Sequence, residues 1–420
     1  MSYRSSIDIV IIGGGPVGQM FAIEFYKRLP EAHITIIELR KTFTRKQVML
    51  LNKNTIDLLP PEIVKNLIQD RGCYVLPPPF DRRGACFKYP KTQLIGINLN
   101  VIESELLKSI KKNTNILYIR PTIADKFDIE LGENEVTIKE NSTKTIIRYD
   151  YLIGADGVNS QVRKTFFGDE TINLFPETMH GLTLIIKTDE NDRIYNKDKK
   201  LPQLKKRQDR VRFFRQSNQT VYLAIALTPE EYQQFLDSDK ETMVPEKMIP
   251  TIKQYMKLFN IECQADIHQC IISSSYFPIQ IARSKRVTDG RRFLIGDAAI
   301  NTHYFTGSGI NLGIETAHQL AVLFDQYYNQ SINKTQFLNS FNTLINKGTD
   351  FIKTRVLEVK IDYQSLADKC KEFTLEELRK LAHSLNIPQS YFTKKELCKL
   401  LKDELTFKER IVPTLKKGIE

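Results

Sequence analysis

Residues 7–40 read IDIVIIGGGPVGQMFAIEFYKRLPEAHITIIELR. Residues 7–12 form a short β-branched run of the kind that a strand buried on both faces requires. Gly13, Gly15 and Gly18 follow at the G-x-G-x-x-G spacing. There the first glycine makes a tight turn, the second lets backbone approach a pyrophosphate, and the third lets helix pack close to strand. A helix predicted over 16–29, opened by Pro16, would aim unpaired N–H groups and a positive dipole end at phosphate oxygens. A second strand over 34–39 carries Glu38, twenty residues beyond Gly18. An acid at that distance binds the hydroxyls of an adenosine ribose, and Leu39 and Arg40 continue the same edge. Strand, turn, helix, strand and acid in this order predict a dinucleotide site on a doubly wound, Rossmann-like α/β sheet. The motif alone does not choose between NAD and FAD.

The chain of 420 residues is long enough for two or three domains with large cores. Its hydrophobic fraction of 41% and charged fraction of 26% are those of a soluble globular protein. No apolar run approaches the ~18 residues of a membrane span. The first apolar run is too short for a secretory signal, so a cytoplasmic protein is expected. Six scattered cysteines without a C-x-x-C pair argue against a zinc site and against disulfide-reductase chemistry. They read as ordinary reduced thiols, and no metal is expected. The net charge of +11 reads first as a solvated, lysine-rich surface.

Beyond Glu38 the pattern predicts a loop and then a helix carrying Val48, Leu51, Ile56 and Leu59 inward, ended by Pro60-Pro61. A strand over 94–99, an amphipathic helix over 102–112, a strand over 116–121 and a meander over 126–149 follow. Residues 151–157, YLIGADG, are a buried strand running into a glycine turn. Between Pro176 and Pro278 the pattern changes to period-two strands (182–187, 210–214, 221–227) and two helices (229–236, 245–259). This predicts a sheet-based domain inserted into the first. A further buried strand over 292–295 enters Gly296-Asp297 and then Phe305-Thr306-Gly307-Ser308-Gly309-Ile310-Asn311. A long helix over 312–328 follows, and the chain reads as helical beyond Gly348.

Three separated motifs now stand in order: Gly13-x-Gly15-x-x-Gly18 with Glu38, Asp156-Gly157 with Arg163, and Gly296-Asp297 with its glycine loop. Together they resemble the FAD-dependent, aromatic-hydroxylase class of flavoprotein monooxygenases, over roughly residues 5–330. The resemblance implies FAD rather than NAD as the bound cofactor. It implies that Asp156 sits by the pyrophosphate, and that Asp297 accepts hydrogen bonds from the ribityl chain. Gly307, Gly309, Ile310 and Asn311 would lie beside the isoalloxazine ring. Arg45 matches a loop arginine that the family places near flavin and nicotinamide, and Asn100 stands where the family often has an arginine or glutamine touching FAD. The implied reaction is reduction of FAD by NADPH or NADH, capture of O2 at the flavin, and transfer of one oxygen atom from a flavin hydroperoxide to an aromatic small molecule. A separate NAD(P)H-binding glycine motif is absent, which fits a family with transient nicotinamide docking. Implied domains are a discontinuous FAD-binding domain (1–75, 100–177, 278–350), a substrate domain (76–99, 178–277) and a helical C-terminal extension (351–420).

The chain also departs from that pattern. Residues 301–306, NTHYFT, lack the proline that the family usually carries after Gly-Asp, and His303 is read as a candidate facing the flavin or satisfying a local hydrogen bond. Residues 43–51 and 55–59 are similar to MICAL-type monooxygenases, which act on a protein methionine. The basic run 199–212 reads as a solvated face. Residues 373–403 resemble SAP-like modules but lack their glycine, and acids balance the lysines. A protein-docking or packing role is therefore expected for the tail, not nucleic-acid binding. Two rivals to the monooxygenase reading stay open: a non-hydroxylating FAD oxidoreductase of the same fold, and an FAD-holding interaction protein whose chemistry has decayed.

Overall fold

Five parallel strands carry the motifs. In the computed structural model, which describes residues 6–69, 73–76, 94–122, 127–174, 179–187, 211–217, 220–238, 243–258, 263, 265–302, 307–363 and a few positions beyond, they form one sheet. Its order is Arg292–Leu294, Tyr151–Gly154, Asp8–Ile12, His33–Ile37, Ile116–Ile119. All four pairings are parallel. The order of connection reverses between Asp8–Ile12 and Tyr151–Gly154, and in such sheets ligands bind beyond the carboxyl ends of the strands at that point. Gly13, Glu38, Asp156 and Gly296 all follow the carboxyl ends of these strands.

The chain divides into two units: Met1–Pro78, Thr92–Glu177 and Gln280–Thr349 form the first, and Pro79–Lys91, Thr178–Ile279 and Asp350–Glu420 the second. In the first unit, helix Pro16–Arg28 and helix Gly309–Tyr328 lie against the parallel sheet. Phe324 is the hub between them. Its ring centroid stands 5.2 Å from Phe25, 5.4 Å from Phe293, 4.9 Å from Phe337 and 5.0 Å from Tyr151. Such tilted and edge-on pairs add to the area that each ring buries. The meander Phe127–Leu131, Glu135–Glu140, Thr143–Arg148 is antiparallel, as the alternation predicts.

The predicted helix through Val48 is corrected. Val48–Leu51 is a strand, paired antiparallel with Leu94–Asn98, which also pairs with Cys73–Leu76. Asn52 breaks the run by capping helix Lys53–Leu58, its side chain accepting from the Thr55 N–H at 2.9 Å. Pro61 opens the next helix instead of closing the last one, because a first-turn position needs no N–H. Residues 94–98, expected in the substrate domain, therefore join the first unit.

The second unit holds an antiparallel sheet in the order Val211–Ser217, Thr220–Leu227, Met179–Lys187, Ile271–Ile279. One face stacks Leu182, Leu184 and Ile186 with Leu223 and Ile225 beneath Phe235, Ile252 and Tyr255. Helix Pro229–Leu236 starts in a reciprocal cap: Thr228 Oγ1 accepts from the Glu231 N–H, and Glu231 accepts from the Thr228 N–H. Cys263 and Cys270 are neighbours, with Cα atoms 6.7 Å apart and both sulfurs near the Ala265 carbonyl, at 3.5 and 3.8 Å. The short helix Ile267–Cys270 turns the second cysteine back towards the first. Among the described residues, no helix is long and apolar enough to cross a membrane. Most of the tail, the basic run 199–210 and His303 lie outside the described residues.

Candidate cofactor-binding site

The first and second motifs touch through the glycine turn. Gly13 has φ +103°, and a Cβ there would stand 2.4 Å from the Ala155 carbonyl oxygen and 2.8 Å from Asp156 Cα. A side chain is therefore excluded both by backbone conformation and by space. The third motif joins through Val17, whose methyls pack 3.2 Å from where a Cβ on Gly296 would be and 2.6 Å from one on Gly313. Gly18 lies so close to the Gly13 carbonyl that a Cβ would meet it at 2.1 Å. Gly15 differs. A Cβ there would have only Arg45 Nη2 at 3.4 Å and Glu103 Oε1 at 3.9 Å nearby. Its open side, at the start of the helix opened by Pro16, faces the Arg45 and Glu103 side chains.

Those two belong to a four-residue charge cluster. Glu103 is fully buried, and its Oε1 accepts from Arg40 Nη2 at 3.1 Å and from Arg45 Nη2. Arg40 also clasps Glu38 through its backbone N–H, Nε and Nη2 at 2.9–3.0 Å, while the Gly14 N–H donates to Glu38 Oε2 at 3.0 Å. Burial pushes the Glu38 carboxyl up, but the Arg40 hydrogen bonds outweigh it and hold it below the usual carboxylate range. Beside them Tyr118 donates to the Gly14 carbonyl at 3.1 Å, and burial pushes its hydroxyl up to about 12. Arg120 lies over the Phe43 ring at 4.3 Å.

Buried polar groups are ordinarily paired, yet this cluster leaves several without a partner among the described residues. They are Arg40 Nη1, Arg45 Nε, Glu103 Oε2, Gln47 Oε1 and Asn100 Oδ1. Unused cationic donors next to an open glycine and a helix N-terminus suit a diphosphate ester. Unused oxygens beside them suit hydroxyls. The residues present thus fit a dinucleotide such as FAD.

The remaining predicted residues divide by what their side chains already hold. Asp156 Oδ2 accepts from the N–H groups of Gln161 and Val162, at 2.6 and 3.2 Å, and so caps helix Gln161–Phe167 with Ser160. Burial pushes its carboxyl up, and its Oδ1 has no partner among the described residues. Gly157 has φ +81° and allows that turn. Arg163 is buried and donates to the carbonyls of Val158 and Ala298 at 2.7 and 3.2 Å, which ties the second motif to the third. Asn311 is used completely: its Nδ2 donates to the Leu50 and Gly307 carbonyls, and its Oδ1 accepts from the Asn52 N–H and Thr55 Oγ1. Gly309, Ile310 and Asn311 form the first turn of the long helix, which starts three residues earlier than its periodicity predicts.

Asp297 is exposed, yet the protein packed around it pushes its carboxyl up to about 6 while Arg45 pulls it back. Because water reaches it, most of the stability that such a shift could carry is screened away. A Cβ on Gly309 would come within 3.8 Å of its Oδ1. Leu39 is exposed, and Asn100 opens helix Leu99–Ile110 with its N–H donating to the Arg45 carbonyl at 2.9 Å. That bond and its neighbour from Leu99 to Gln47 bring the Arg45 loop onto the helix that carries Glu103. Sequence reasoning missed Glu103. Its signal was an acid in the inward stripe Leu99, Ile102, Leu106, Ile110, where apolar residues belong.

Comparison with known proteins adds the following. The family described as FAD binding domain matches residues 128–340. A ubiquinone hydroxylase, UbiM, of Neisseria meningitidis is 23% identical over 80% of this chain and 72% of its own length. An uncharacterized aromatic compound monooxygenase, YhjG, of Bacillus subtilis is 26% identical over 74% of this chain and 60% of its own. The crystal structure of PqsL, a probable FAD-dependent monooxygenase from Pseudomonas aeruginosa, superposes with a TM-score of 0.62 at 17% identity, over 85% of this chain and 97% of that one. That likeness shows a shared fold.

Proposed function

The chain belongs to the FAD binding domain family, and from that premise we propose that it is an FAD-dependent monooxygenase, driven by NADPH or NADH, that transfers one oxygen atom of O2 to an aromatic small molecule. The observation that carries this reading is the meeting of three motifs around an open Gly15, with unpaired cationic donors beside it. The glycine turn and the helix at Pro16 would hold the diphosphate, with Arg45 and Arg40 against its oxygens. Asp297 would accept from the ribityl chain. The N-terminus of helix Gly309–Tyr328 would face the flavin, where its positive end favours negative charge. When bound, reduced FAD supplies the activation of O2, and the protein supplies position and a dry pocket.

The relatives named as a ubiquinone hydroxylase and an aromatic compound monooxygenase support an aromatic substrate. We assign substrate selection to the second unit, and a protein-docking role to the tail beyond Tyr363. The test is incubation with NADPH or NADH, heavy-isotope O2 and a panel of phenols and quinols. Donor oxidation coupled to a product carrying one heavy oxygen supports the reading. Donor oxidation that yields only hydrogen peroxide with every candidate would move the chain to the non-hydroxylating oxidoreductases. No donor oxidation at all would leave the decayed, FAD-holding interaction protein.

A further inference from the structure

Glu38 sits where a dinucleotide fingerprint expects the acid that takes ribose hydroxyls. Its capacity is already spent. A carboxylate offers about four lone-pair sites, and Glu38 receives four donors: the Gly14 N–H and Arg40 Nη2 on Oε2, the Arg40 N–H and Nε on Oε1. Its side chain is 6% exposed. Glu103, on helix Leu99–Ile110, is the reverse case. It is 0% exposed, its Oε1 gathers Arg40 and Arg45, and its Oε2 has no partner among the described residues. It stands beside Gly15, where the diphosphate of a dinucleotide would pass.

An acid next to a diphosphate is a liability unless it is used, because like charges repel at that range. Among the described residues, two unpaired arginine donors, Arg40 Nη1 and Arg45 Nε, and one unpaired carboxylate oxygen make a mixed pattern. A bare phosphate would need donors only. A diphosphate flanked by a hydroxyl needs both.

Resting on the FAD reading above, we propose that Glu103 divides the acid's role with Glu38: Glu38 holds the glycine turn and Arg40, while Glu103 sets Arg40 and Arg45 against the diphosphate and accepts a sugar or ribityl hydroxyl of the cofactor on Oε2. Glu103 is thus a positioning and binding residue for the cofactor.

The test is titration of FAD into apo-protein, followed by flavin fluorescence, for the parent chain and for Glu103→Gln, with inorganic pyrophosphate as a competitor that lacks the hydroxyl. Loss of the charged acceptor weakens FAD by about tenfold or more. Pyrophosphate competes as well or better, since a negative charge has left while the remaining amide oxygen still accepts from the two arginines. These opposite signs separate the proposal from two others. If both ligands tighten, Glu103 acts only as a repelling charge; if both weaken together, it acts only as a structural strut. Either result overturns the proposal, as does an unchanged FAD affinity. Should Glu103→Gln not be recovered folded, Glu103→Asp keeps the charge and withdraws the acceptor, so FAD weakens while pyrophosphate is unaffected; equal FAD binding there overturns it as well. A parent chain that binds no FAD would defeat the FAD reading itself, a different failure from a parent that binds FAD beside a variant that binds it equally.

Discussion

Asp297 carries two opposed demands at the scale of one residue. Its folded pKa of about 6 lies above the ordinary 3.8 because the protein packed around it disfavours its charge. A raised carboxylate pKa contributes stability that is present below about pH 4 and is lost as pH rises through the folded value. Asp297→Asn, neutral throughout, should therefore melt with the apo-parent near pH 4 and only slightly above it beyond about pH 6.5, because solvent screens most of the shift. The same change should weaken FAD, since a charged acceptor for ribityl hydroxyls has gone. Melting curves across pH, with and without FAD, check both signs. Curves that coincide at every pH would mean that Asp297 is solvated like any surface acid.

At the scale of elements, the seam between helix Pro16–Arg28 and helix Gly309–Tyr328 positions both the diphosphate end and the flavin end of the proposed site. Small residues let the helices approach, since Gly313 leaves room only for Val17. Glu24 locks the seam. It is nearly fully buried and accepts from Lys27 and Arg28 on its own helix and pairs with His318 Nδ1 of the other at 2.6 Å. Burial pushes the carboxyl up, but Lys27 and Arg28 prevail and hold it low. Its stability is present above the ordinary value of 4.5 and is lost as pH falls through the depressed one. Glu24→Gln should cost about 2 kcal/mol near neutral pH, by loss of charge-assisted hydrogen bonds. Urea unfolding should show a lower midpoint at unchanged m, with the gap closing under acid conditions. A gap that persists in acid would assign the cost to packing instead.

For the whole molecule, the parallel sheet and its motifs were legible because each rests on local pattern: a β-branched run, glycines at fixed spacing, an acid at the next strand's end. Three strands of the second unit's antiparallel sheet were legible from their alternation for the same reason, whereas Ile271–Ile279, whose burial does not alternate, was not read. What the sequence hid is set by contacts between distant segments. Whether Glu38 is open to a ribose depends on how Arg40 folds back over it. Asn311 is spent on Leu50, Asn52 and Thr55 more than 250 residues away. Arg163 becomes a brace only because Ala298 is brought to it. Val48 was misread since four apolar residues fit either period, and only pairing with Leu94–Asn98 decides. A ligand that binds only the folded chain raises stability with its free concentration, so the melting temperature should climb with added FAD and hardly respond to NAD.

The most direct measurement is of the cofactor that the purified full-length chain carries. The protein should be yellow, release FAD on heating as identified by chromatography, and regain its spectrum when the apo-protein is mixed with FAD in one-to-one stoichiometry. A colourless chain whose flavin fluorescence and melting temperature stay unchanged as FAD is added would contradict the account.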